Sequence, residues 1–297
     1  MKEKKSLAYA GLILVVLLWG VSPLITLQFY QYYSPTARVT FTSLVCALSL
    51  LLIARKKLHL LDKSYFAAAL PTGFFMATAN ILQKIGLQYT TPTHYSFLEN
   101  LSVVVVPVLL FFFLKKKPSV LTVLAAVLCL AGSFVLTGMG SDVGEGSLLG
   151  DLLCALAGIF YGVNIAGTGA VAKKLYAPLY LMLQMFVEVV VSAIGAVTFH
   201  FSGIEPILFD WDWRLILANV AVVFVTSTMC WLIRTNAMKA VDATVVAVIM
   251  PFSSVVTVIL SVCIGKDTLT ANLIVGVILG LTAIILSGLG DRKKGCG

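Results

Sequence analysis

Ten apolar runs, each about 20 residues long, follow one another along the chain with almost nothing between them. No motif constrains the fold as strongly. A run of that length crosses a hydrocarbon core as a helix, because the helix satisfies its own backbone where water is absent. The runs cover approximately residues 7–29, 35–54, 64–87, 93–114, 118–138, 147–170, 177–200, 213–235, 243–264 and 270–290. The sequence therefore predicts an all-α polytopic membrane protein with ten transmembrane helices. Connections such as "QYYSPT" and "GKDTLT" are too short for a catalytic domain, so any function must be built inside the helix bundle.

Composition agrees, with 60% hydrophobic residues, 11% charged and a net charge of +8. Such a charge could suggest nucleic acid, but the basic residues alternate by loop, which excludes that partner. "KEKK", "RKKLHLLDK", "KKKP", "AKKLYAP", "RTNAMKAVD" and "DRKKG" carry 17 of the 21 Lys and Arg, at every second connection and both termini. That pattern marks the cytoplasmic side and predicts a multi-pass protein of the plasma or inner membrane with both termini cytoplasmic. The other connections are neutral or acidic, and "DWDW" suits the outer interface. "MKEKK" before an apolar run resembles a signal peptide. The run is longer than a signal's apolar core and lacks a small-residue cleavage site, so it is assigned to helix one. The six cysteines form no CxxC pair, and neither a metal site nor a cofactor motif is present.

Shifting the chain on itself by 142 residues lays "LLWGVSPLIT" (17–26) on "IFYGVNIAGT" (159–168). Trp19 meets Tyr161, Gly20 meets Gly162, Ser22 meets Asn164 and Thr26 meets Thr168. Further on, "KIGLQYTTPT" falls on "RTNAMKAVDAT" with a slip of one residue. Five spans thus repeat as five, over residues 1–140 and 146–297. Because five is odd, the second copy enters the membrane from the opposite face, the inverted-repeat arrangement of secondary transporters.

Those features together resemble the EamA-type members of the drug/metabolite transporter superfamily. The resemblance rests on the Trp-Gly of helix one, the Ser-Pro followed by Arg38 opening helix two, and "GLQYT" and "AMKAVDAT" before helices four and nine. It implies that helices one to four and six to nine line a central cavity, with five and ten peripheral. It also leaves room for a homodimer through helix ten, whose "GVILG" (276–280) forms a GxxxG face. Where such proteins often carry a Leu-Gly-Glu turn, this chain reads "FLKKKP" and "CIGKDT", so no role is carried over to a Glu there.

Charged groups at membrane depth are costly unless they face a cavity or a partner, which makes them pointers to a site. Glu99 and Glu188 are deep in helices four and seven. Helical spacing extends each into a stripe: Tyr95, Glu99 and Ser102; Gln184, Glu188 and Ser192. Other helices offer Trp19, Arg38, Asn80, Gln83, Lys84, Tyr161, Asn164, Trp231 and Arg234. Carboxylates among Trp and Tyr rings suit a small amine, by charge pairing and cation–π attraction. A carboxylate in a low-dielectric site resists ionisation and can exchange a proton for a cationic substrate. The expectation is thus a secondary, proton-coupled exporter of small amine-bearing metabolites such as organic cations or amino acids.

Competing accounts exist. Glu99 could pair with Lys84 or Arg38, and Glu188 with Arg234, as interhelical fasteners in a facilitative transporter. An intramembrane lipid-modifying or proteolytic enzyme could use Glu99 and Glu188 as acid and base, although "GLGD" (288–291) lies at a span exit with no second deep Asp. His94 is expected to be a solvated helix-end residue. Asn100 is expected to make a helix-to-helix hydrogen bond.

Overall fold

The computed structural model describes residues 2–114, 120–138, 147–241, 246, 249–266 and 270–292. Among these the protein is all-helical, with one isolated bridge between Tyr33 and Phe209. Helices α1 (Lys2–Phe29), α2 (Pro35–Ala54), α3 (Lys63–Tyr89), α4 (Pro92–Leu98) and α5 (Ser102–Leu114) are followed by α6 (Val120–Gly138). Then come α7 (Ser147–Val171), α8 (Ala177–Phe201), α9 (Trp213–Val223), α10 (Cys230–Ala237), α11 (Phe252–Cys263) and α12 (Ala271–Arg292).

Local signals set many of the boundaries. Proline opens α2, α4 and α8, where its missing N–H would have no partner anyway. Asp62 caps α3, its carboxylate accepting from the Ser64 and Tyr65 amides, and Asp212 caps α9 through the Arg214 amide. Gly203 and Gly265, at φ of 71° and 70°, turn the chain just past the ends of α8 and α11, a backbone conformation that costs glycine little.

Among the described residues six helical stretches are long and apolar enough to cross a membrane: Lys5–Phe29, Pro35–Leu60, Lys63–Tyr89, Leu148–Val171, Ala177–Phe201 and Trp213–Ala237. The other four expected spans fall on shorter, interrupted or partly described segments. The fourth is broken: α4 passes through a 3₁₀ turn, Glu99–Leu101, before α5 resumes. The cause is local competition. The Ser254 hydroxyl donates to the Ser96 carbonyl at 2.7 Å, the acceptor that an unbroken helix would offer to Asn100. Gly158 of α7 lets its neighbour approach, since a Cβ there would lie 2.6 Å from the Leu98 carbonyl oxygen. The eighth expected span carries a π turn, Phe224–Met229, between α9 and α10. The ninth, residues 243–264, lies outside the described residues at 243–245 and 247–248.

Packing places α3 between α7 and α8, α2 along α8, α1 against α10 and α11, and α6 against α12. One apolar core joins α2, α3, α7 and α8 through Leu50, Met76, Leu179 and Met185; another gathers Leu12, Val15, Ile165 and Cys230. The glycine face of α12 is used internally. A Cβ at Gly132 of α6 would meet the Gly276 carbonyl at 3.1 Å, and one at Gly280 would meet the Phe97 ring at 2.9 Å. Ile274, Val275, Ile278 and Ile285 are left facing outward.

Candidate functional site

Both helix irregularities border the same space. A cavity of ≈ 100 Å³ is walled by the 3₁₀ turn at Glu99, the π turn at Thr226 and Ser227, and residues of α1, α2, α3, α7, α8 and α11. Irregular backbone at membrane depth is tolerated where it lines a cavity, because the freed carbonyls then find partners. Here the Trp19 indole N–H donates to the Thr226 carbonyl at 2.9 Å.

Nine of the expected site residues line this cavity: Trp19, Asn80, Gln83, Lys84, Tyr95, Glu99, Tyr161, Glu188 and Trp231. Gln83 Nε2 donates to Glu99 Oε2 at 2.7 Å. The Tyr161 hydroxyl lies 2.8 Å from Gln83 Oε1 and 2.6 Å from Asn80 Oδ1, one proton shared between two acceptors. Asn80 and Ser43 border the same cavity as Glu188. A polar chain thus runs from Glu99 through Gln83 and Tyr161 to Asn80, on the cavity wall that Glu188 shares. Lys84 donates to the Tyr95 hydroxyl at 2.6 Å.

The fastener account meets an obstacle in this geometry. Among the described residues no Lys or Arg nitrogen lies within 4.0 Å of either cavity carboxylate; the ion pair that does form is His94 with Asp151. The aromatic faces are partly taken. Arg234 stacks at 4.6 Å over Trp231 and 5.8 Å over Trp19, and Lys84 sits 5.1 Å over Tyr95. An incoming amine would therefore meet carboxylate and amide oxygens before it met a free ring.

Two expected site residues lie elsewhere. Gln184 Nε2 donates to Thr72 Oγ1 at 2.8 Å and to the Tyr180 hydroxyl at 3.0 Å. Asn164 donates to the Thr72 carbonyl at 3.0 Å and accepts from Arg234 at 3.4 Å. Thr168 joins the same buried cluster through Tyr180. The spacing rule gave Gln184 and Asn164 their faces correctly as inward, but at their depth other side chains fill the axis. Ser192 also leaves the stripe, accepting a hydrogen bond from Thr40.

Arg38 borders a smaller adjoining chamber of ≈ 50 Å³, which shares Ser22, Thr42, Asn80, Lys84 and Glu188 with the main one. It donates to Asn219 Oδ1 at 2.9 Å and rests 4.4 Å over Phe29. Among the described residues Asn219 Nδ2 has no hydrogen-bond partner, so the bond to Arg38 is what sets this amide's place.

His94 corrects the sequence expectation: it is buried, its Nδ1 lies 3.2 Å from Asp151, and Thr90 also donates to that carboxylate at 2.5 Å. The start of α7 covers it. Asn100 behaves as expected, donating to Ser254 at 2.9 Å between α4 and α11.

Several site features carried no usable signal. The cavity residues Thr226, Ser227, Ser253 and Thr257 are small hydroxyls of the kind that pack between any two helices. Buried Glu205, in the loop after α8, accepts from the Thr36 amide and hydroxyl at 2.9 and 2.7 Å. With the backbone bonds Ser34 to Leu208 and Asp210 to Tyr32, and the ring contacts of Tyr33, Phe41 and Phe209, it seals that loop over the start of α2.

Known proteins can now be set beside this geometry. An "Uncharacterized transporter" of Archaeoglobus fulgidus is 23% identical over 286 residues, covering 96% of this chain and 87% of that protein. Mouse "Solute carrier family 35 member F2" is 26% identical over 158 residues, or 51% of this chain; the match spans 40% of the mouse protein's length. A crystal structure shares the fold at a TM-score of 0.69 and 15% identity, covering 97% of this chain and 98% of that one. The profile of the EamA-like transporter family matches residues 6–138 and again 148–289. The chain is a multi-pass membrane protein and belongs to the EamA-like transporter family.

Proposed function

We propose that the protein is a secondary transporter that exports small amine-bearing metabolites by alternating access, built as ten spans in two inverted repeats with both termini cytoplasmic. The repeat is supported by the two successive family matches and by a pair of equivalent contacts. A Cβ on Gly20 of α1 would lie 2.5 Å from Val256 Cβ of α11, and one on Gly162 of α7 would lie 2.7 Å from Val105 Cβ of α5. Gly20 and Gly162 correspond in the repeat, and Val105 and Val256 fall at the same point of the fourth and ninth spans. Both glycines therefore do one job, bringing the first span of a half onto the fourth span of the other.

One observation carries the substrate reading: two carboxylates, Glu99 and Glu188, border one cavity and have no Lys or Arg nitrogen within 4.0 Å among the described residues. A carboxylate so placed holds either a proton or an amine, and the hydrogen-bonded chain from Glu99 through Gln83 and Tyr161 to Asn80 ends on the wall that Glu188 shares, so one bound group can be felt by both. A proton gradient then drives exchange, because each orientation of the bundle reloads the same groups from a different side.

The test is flux of small amines into proteoliposomes under an imposed pH gradient, for wild type, Glu99→Gln and Glu188→Gln. Gradient-driven flux that falls in both variants supports the proposal. Gradient-independent flux that survives both substitutions would replace it with facilitated transport and structural carboxylates.

A further inference from the structure

The amine reading leaves one buried cation of the cavity wall without a task. Arg38 is 6% exposed, uses one N–H on Asn219 and one face on Phe29, and has no carboxylate oxygen within 4.0 Å among the described residues. Guanidinium carries five N–H donors in a rigid fork, so an edge remains for a planar anion. Lys84 borders the same small chamber and spends one of its three donors on the Tyr95 hydroxyl. Two positive groups therefore border one chamber, each with donors to spare. A buried charge without compensation is costly, and a bound anion is what would remove that cost.

The size of the chamber narrows the anion. One water needs roughly 10–15 Å³ of such volume, so ≈ 50 Å³ holds about four water-sized groups. That is the size of a carboxylate with its attached carbon. The wall shared with the main cavity, at Asn80 and Glu188, places this space beside the carboxylates.

We propose that the chamber between Arg38 and Lys84 is a subsite for the carboxylate of a zwitterionic substrate, whose amine lies toward Glu99 and Glu188. The direction of the amine rests on the function proposed above; the anion subsite stands on the two cations and the chamber. Arg38 takes the carboxylate edge-on, Asn219 holds the guanidinium in place, and Lys84 supplies a second donor from the cavity side. Glu188, facing both chambers, keeps the positive pair from accepting a second anion.

Three matched probes separate the parts: leucine, isoamylamine (leucine without its carboxylate) and 4-methylpentanoate (leucine without its amine). Binding to the purified full chain in nanodiscs is read from tryptophan fluorescence, since Trp19 and Trp231 line the cavity. Leucine should bind at least roughly tenfold tighter than isoamylamine, the worth of one charge-assisted hydrogen bond. The acid should bind too, and Arg38→Gln and Lys84→Gln should each weaken it by a similar factor. Arg38→Lys should restore only part, because the charge returns without the fork.

Leucine binding no tighter than isoamylamine overturns the subsite, as does acid binding that is absent from wild type or unchanged in both Gln variants. Should a variant lose its monodisperse elution, the three-probe comparison on wild type decides alone. Failure of the amine reading looks different: isoamylamine becomes indifferent to Glu99→Gln and Glu188→Gln while acid binding still depends on Arg38.

Discussion

Two polar regions lie about one helical turn apart along α7 and α8, made from the same kinds of side chain, and they have opposite characters. Around Glu99 and Glu188, hydroxyls, amides and carboxylates border open space. Around Gln184, Thr72, Tyr180, Thr168, Asn164 and Arg234 the same groups close on one another through hydrogen bonds of 2.8–3.4 Å. A buried polar group must find a partner, and either water, ligand or protein will serve. Space, rather than polarity, separates the open region from the closed one.

The comparison breaks first at Glu99. Glu99→Gln should reduce gradient-driven flux by about 10- to 100-fold, since a hydrogen bond to a charged group contributes about 1.5–3 kcal/mol. Its thermal stability should hold or rise, because a cavity carboxylate without a counter-ion is kept for function at some cost in stability. In the closed cluster the expectation reverses. Gln184→Leu leaves Thr72 and Tyr180 short of a donor and should cost about 1–3 kcal/mol, seen as a lower Tm in detergent, while the KM of transport stays near wild type.

Gly162→Ala tests the scaffold that holds the two regions apart. Its new Cβ would collide with Val105 at 2.7 Å, and overpacking of that kind costs about 1–3 kcal/mol. Gly20→Ala should fall in the same range, since its Cβ would meet Val256 at 2.5 Å. A large effect at one glycine and none at the other would break the equivalence of the two halves.

The smallest effect lies outside both regions, at the exposed cap of α3. The Ser64 hydroxyl, with the Ser64 and Tyr65 amides, holds the Asp62 carboxyl below the usual carboxylate range. A carboxyl depressed in the folded state stabilises above its unfolded value, near 3.9, and loses that contribution as pH falls through its folded value. Asp62→Asn keeps a neutral cap, so the Tm gap between wild type and variant should be present at pH 5 and shrink as the pH drops below about 4. A gap that stayed constant over that range would show that charge is irrelevant at this cap.

Much of the architecture was legible because a membrane leaves the backbone few choices. Apolar runs named the helices, and deep carboxylates named two walls of the cavity. What escaped has physical reasons. Helical spacing gives a residue's direction but not what fills the space at its depth, so Gln184 and Asn164 were placed with Glu188 although packing closes over them. His94 sits at a helix end, and nothing local reveals that the start of α7 brings Asp151 onto it. The break at Glu99 depends on Ser254, more than 150 residues away in sequence, taking the Ser96 carbonyl. The π turn beside Trp19 carries only "FVTSTM", with no glycine or proline to mark it.

The most direct test of the distinction between open and closed polar regions is paired: flux under a pH gradient and Tm, on the same preparations, for Glu99→Gln and Gln184→Leu. The account predicts a crossed result, with Glu99→Gln losing flux at an undiminished Tm and Gln184→Leu losing Tm while its KM is kept. If instead Glu99→Gln lowers Tm and transports normally, Glu99 is a structural fastener and the cavity it borders is not where substrate binds.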